Sequence, residues 1–134
     1  MTLYQLGRVL GYLIVFFYLM ALMNFVFKWI HRTFRESMKK NEGFYKRFTT
    51  WMLFFVKNHR LFGALAVVFV LVHFSVQYFN LGFSNTGAIA AALMIVQATL
   101  GGYGSRKKSA GKGWLYVHRI IPVLLLLAMA NHIL

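Results

Sequence analysis

Residues 59–80 read HRLFGALAVVFVLVHFSVQYFN, and residues 118–134 read HRIIPVLLLLAMANHIL. Each stretch opens on His-Arg. Each has a helix-modifying residue four positions after that histidine, Gly63 in one and Pro122 in the other. Each holds a second histidine fourteen residues after the first, pairing His59 with His73 and His118 with His132. The residues in between are almost all apolar, and about 20 such residues carry a helix across a bilayer. Working outward, the runs Val9–Phe27 and Thr86–Tyr103 are long and apolar enough to span as well. The sequence therefore predicts an all-α integral membrane four-helix bundle, one domain over residues 1–134, with spans near 9–28, 60–80, 85–104 and 114–134.

Composition agrees with lipid as the main solvent. Apolar residues make up 60% of the chain and charged residues 13%, against roughly 25% charged in soluble domains. Glu36 and Glu42 are the only acidic residues, and the formal charge is +13. Those cations lie between apolar runs, which suits anionic lipid headgroups rather than nucleic acid. There is no cysteine, so disulfides, iron–sulfur clusters, Cys-ligated zinc and covalent c-type haem are excluded. The first apolar run lacks a small-residue cleavage site, so it is expected to stay as a helix rather than leave as a signal peptide.

The loops set the expected orientation. Between the first two spans lie Arg32, Arg35, Lys39, Lys40, Lys46, Arg47 and Lys57, and between the last two lie Arg106, Lys107, Lys108 and Lys112. From Leu61 to Ser105 there is no charged residue at all. The positive-inside rule then puts both basic loops in the cytoplasm and both termini outside, with the plasma membrane of a bacterium or archaeon as the expected location. The uncharged stretch must turn at its polar middle, where Asn80 and Gly82 suit a turn and Ser84, Asn85 or Thr86 an N-cap. In the first basic loop, Phe48, Trp51, Met52 and Phe55 recur at helical spacing. They are expected to form an amphipathic helix on the cytoplasmic interface, in preference to an early extension of the second span. Arg32 to Gly43 reads as solvated.

Fourteen residues are about 3.9 helical turns and roughly 21 Å of rise, which leaves the two histidines about 40° apart around the helix. The second and fourth spans run in the same direction, so His59 and His118 share one depth and His73 and His132 another. Two pairs of imidazoles at two depths suit two six-coordinate haems, each iron taking one neutral imidazole from each helix. Arg60 and Arg119 are costly in a membrane unless they snorkel or pair, and haem propionates at the cytoplasmic interface are natural partners. Small residues to admit a porphyrin occur at Gly7, Gly11, Gly87, Ala88, Ala90, Ala91, Ala92, Ala98, Gly101 and Gly102. Pro122 offers no N–H to the carbonyl of His118. His31 has no partner at fourteen residues and reads as an ordinary interfacial residue; Gln77, Gln97 and Thr99 read as structural or as supports of the ligands, with no role assigned.

At these residues the chain resembles the dihaem membrane cytochromes b, a group that includes ferric-reductase-like and ascorbate-reducible cytochrome b transmembrane domains. The resemblance covers Lys57 to Leu134 and rests on the two His-Arg starts and the paired spacings. It implies a four-helix core with two haem b groups, one near each membrane face, and axial ligation by His59, His118, His73 and His132. No Gly-rich dinucleotide fingerprint follows a strand, since Gly101-Gly102-Tyr103-Gly104 ends a membrane helix. The expected function is transmembrane electron transfer between a quinol or protein redox partner and an acceptor, with membership of a larger redox complex as a further expectation. Whether the chain is itself an enzyme is open. The alternative is a transporter or channel whose histidines move metal ions or protons. The 21 Å separation within each helix is too large for one common metal site.

Overall fold

The computed structural model describes residues 1–107, 109 and 111–134. Lys108, one of the cations counted above, lies outside the described residues. Among the described residues there are four helices and no strand: α1 (Leu3–Lys39), α2 (Glu42–Leu81), α3 (Asn85–Arg106) and α4 (Gly113–Ile133). All four are long and apolar enough to cross a membrane. Large apolar side chains such as Phe16, Leu19, Val68, Leu71, Leu124 and Leu127 are exposed. Ser75 and Thr99 donate their hydroxyls to the carbonyls of Leu71 and Ile95 one turn back. Outward-facing apolar side chains, with hydroxyls satisfied by their own helix, are what a hydrocarbon solvent requires.

Two helices are longer than the spans read from hydropathy. At 1.5 Å per residue, α1 is about 55 Å long and α2 about 60 Å, against a hydrocarbon thickness of about 30 Å. Residues Arg32 to Lys39 are exposed apart from Met38, as expected, but form the last turns of α1 rather than a loop. Their Arg, Lys, Glu and Met are good helix formers and no Gly or Pro interrupts them. The chain reverses at Lys40 and Asn41. There the Asn41 side chain accepts from the Phe44 N–H at 3.1 Å and so caps α2. The separate interfacial helix is also corrected: Phe48, Trp51, Met52 and Phe55 belong to the single helix Glu42–Leu81. Nothing between them and Gly63 breaks the helix, and Phe55 is buried rather than laid on an interface. The uncharged turn forms as expected. Gly82 has φ +84°, which favours glycine, and Ser84 caps α3 by accepting from the Gly87 N–H.

The described chain divides into two compact units, residues 15–66 and residues 1–14 with 67–134. The first is an antiparallel hairpin of α1 and α2. Ala21, Phe55 and Phe62 are its buried centre, with Phe17, Met20, Met23 and Phe27 packed around them. Phe48, Phe55 and Phe62 recur every seven residues along α2, and Phe27 lies 5.1 Å from both Phe48 and Phe55. In the second unit α3 packs along α4, with Met94, Ile121, Leu125 and Met129 buried and Leu125 fully so.

One stepping pattern recurs in the buried positions. On α4, Ile121, Leu125 and Met129 are buried between His118 and His132; on α2, Phe62, Ala66 and Val70 are buried between His59 and His73. On α1 the buried residues are Gly7, Leu10, Ile14, Tyr18 and Ala21. All three series advance by three, four, four and three residues, which keeps one face of a helix inward over fourteen positions. His59, His73 and His118 are half-buried at the ends of these series, and His132, in the last turn of α4, is exposed.

Candidate functional site

His73 and His132 come together in the unit that contains both. Their ring centroids are 6.3 Å apart and their planes cross at 86°. His73 Nδ1 lies 3.0 Å from the carbonyl of Gly7. A carbonyl only accepts, so Nδ1 is the donor, and the neutral ring carries its lone pair on Nε2. His132 Nδ1 lies 3.0 Å from the Thr86 hydroxyl, which in turn lies 3.2 Å from the Ser84 hydroxyl. The Gly7 carbonyl fixes the tautomer and orientation of His73, whereas the Thr86 hydroxyl, which can donate or accept, orients the His132 ring.

Glycines make room for these rings. A Cβ built at Gly87 would sit 3.1 Å from His132 Cε1, and one at Gly11 would sit 3.6 Å from His73 Cε1. At Gly7 a Cβ would meet the Gln77 amide at 2.8 Å, so the glycine whose carbonyl holds His73 also admits Gln77. Gly63 and Gly102, in contrast, face open space.

The other two histidines have related surroundings, each within its own unit. His59 Nδ1 donates to the carbonyl of Ala21 at 3.0 Å. Gly7 and Ala21 are fourteen residues apart on α1, as His59 and His73 are on α2, so the two hydrogen bonds repeat one arrangement. His118 lies against Gly101, where a Cβ would stand 3.1 Å from its Cε1. Gly87 and Gly101 are also fourteen residues apart, and each meets a histidine of α4 at the same distance. One turn before His118, Trp114 lies over it with ring centroids 6.1 Å apart, in contact with Gly104. Gln97 Nε2 donates to the His118 carbonyl at 2.8 Å.

Arg60 and Arg119, next in sequence to His59 and His118, are both exposed. His31 lies in the hairpin unit. Its Nε2 lies 3.3 Å from the Tyr45 hydroxyl, and its ring stacks with Tyr45 and Phe48 in the hairpin unit. Among the described residues no group of three or more His, Cys, Asp or Glu converges on a point. Thr99 bonds only its own helix.

The Gly7 and Ala21 carbonyls were not legible in the sequence; Thr86 read there only as an N-cap candidate, and Gln97 as a supporting or structural residue with no assigned role. Backbone acceptors have no side-chain signature, although the fourteen-residue interval between Gly7 and Ala21 echoes the histidines.

A bis-imidazole haem iron fits the pair His73 and His132. Two metal–nitrogen bonds of about 2 Å, with about 1 Å from each nitrogen to its ring centre, put two rings on one metal about 6 Å apart. The observed 6.3 Å agrees. Edge-to-face aromatic packing gives similar separations. Comparison with protein-family models, with curated proteins and with solved structures returned no match.

Proposed function

We propose that this chain carries electrons across a membrane through two b-type haems, one held by His73 and His132 and the other by His59 and His118. The observation that carries the reading is the His73–His132 pair, 6.3 Å apart with both Nδ1 atoms hydrogen-bonded. His59 and His118 lie in different units, and their pairing rests on the repeated fourteen-residue spacing. A bare metal ion in a protein ordinarily takes three or four side-chain ligands, whereas a porphyrin supplies four nitrogens and asks the protein for two. That arithmetic favours haem over a metal-ion transporter.

Haem, when bound, supplies a one-electron Fe(III)/Fe(II) couple. The chain's own residues do the rest. The Gly7 and Ala21 carbonyls orient their histidines and make them stronger donors. Arg60 and Arg119 offer guanidinium groups to the propionates on the basic side, and their positive charge favours the reduced state there. The spans hold no Asp or Glu, so a carboxylate relay for pumping protons is not part of the proposal. On α1, Lys28, Arg32, Arg35 and Lys39 are exposed at helical spacing, and this basic stripe suits an acidic redox protein; a quinol is the other class of partner. A place as the membrane subunit of a larger redox complex belongs to the same proposal.

In proteoliposomes loaded with ferricyanide, external dithionite should reduce the trapped oxidant much faster with the protein than without it. Equal rates, with haem present, would remove the transmembrane relay. Orientation has its own check, because the chain has no native cysteine. Ser37→Cys and Ser109→Cys should react with an impermeant maleimide only from the cytoplasmic side, and Asn85→Cys only from the outside. Labelling of all three from one side would contradict four spans.

A further inference from the structure

We propose that Gln97 is the positioning residue for His118, its amide N–H taking the place of the backbone N–H that Pro122 lacks. In an α-helix the carbonyl of residue 118 accepts from the N–H of residue 122. Proline has none, and Pro122 lies inside α4. From the neighbouring helix, Gln97 Nε2 reaches the His118 carbonyl at 2.8 Å. The amide orientation is forced, because a carbonyl accepts and only the nitrogen end of glutamine donates. The same nitrogen comes within 3.5 Å of His118 Nε2, at the outer limit for a hydrogen bond, so the carbonyl contact carries the inference.

Its consequence is positional. Gln97 and Gly101 are one turn apart on α3, and the Gly101 backbone meets the His118 ring while Gln97 holds the His118 main chain. Trp114 lies over the ring from the turn before. Main chain and ring of this one histidine are therefore set from α3, and a helix turn loosened by proline is held where a ligand needs it. His59 and His73 are followed four residues on by Gly63 and Gln77, whose N–H groups are present, so they need no such support.

The inference rests on the reading of His118 as a haem ligand, and a double-mutant cycle separates the two. Gln97→Leu should lose or convert to high spin the haem of the basic side, leaving the other low-spin, with a shifted midpoint potential for whatever remains in the altered site. Pro122→Ala restores the helical N–H. The double variant Gln97→Leu/Pro122→Ala should therefore recover both low-spin haems, and its thermal unfolding temperature should return toward that of Pro122→Ala alone. Rescue identifies the carbonyl hydrogen bond as the reason Gln97 matters, since a packing defect at residue 97 would persist in the double variant. Two unperturbed haems in Gln97→Leu, or a double variant as impaired as Gln97→Leu, would overturn the inference while leaving the haem reading intact. A wild-type protein without haem would overturn both.

Discussion

Replacing His73 or His132 with alanine is expected to remove one haem and keep the other, so that haem per chain falls by about half. The two variants should resemble each other, because a six-coordinate site loses its geometry when either imidazole goes. The remaining haem should keep its own potential and low-spin spectrum, which also serves as the control for folding. His31→Ala should retain both haems, since its ring is engaged with Tyr45 and Phe48 in the hairpin. If His73→Ala and His132→Ala both kept two haems, the assignment of these two ligands would be lost. Pyridine haemochrome assay against protein concentration makes the measurement.

The second large effect is expected at two glycines that differ only in which histidine they meet. A Cβ at Gly87 or at Gly101 would stand 3.1 Å from the Cε1 of His132 or His118 respectively. Alanine asks the ring to yield by a few tenths of an ångström, and valine asks for far more in a packed interior. Gly87→Val should therefore deplete the haem of His73 and His132. Gly101→Val should deplete the one assigned to His59 and His118. The two losses should be separable by redox titration, because the two sites differ in nearby charge. If α3 used these glycines only to pack closely against α4, both variants would lower stability and both haems would decline together. Selective loss discriminates between those roles.

The features legible in the sequence were those written in side chains with a period. Four apolar runs gave four helices, and the uncharged turn was marked by Gly82 and Ser84, which the structure uses for a positive φ and an N-cap. The His73–His132 approach also followed from the sequence, because fourteen residues keep one helix face and the second and fourth spans run the same way. What hydropathy could not show was how far a helix continues once it turns polar. Lys28 to Lys39 and Glu42 to Lys57 look like loop to a membrane scale, yet they contain no breaker but Gly43, beside the Asn41 cap. The interfacial reading of Phe48 to Phe55 failed for a related reason. An amphipathic period states that a face is covered without saying by what, and here α1 covers it, through Phe27. Backbone acceptors at Gly7 and Ala21 were beyond reach, since every residue has a carbonyl. Gln97 stood closer to view: a proline four residues after His118 left a carbonyl in need of a donor, and an amide on the preceding span is the kind of group that supplies one.

The most direct measurement is the visible spectrum of the purified protein, oxidised and reduced, with its haem count. Expressed with haem available, the chain should show a Soret band, sharp α and β bands on reduction, and two haems per polypeptide. A folded, colourless protein under those conditions would contradict ligation by these histidines, and the electron-transfer proposal with it.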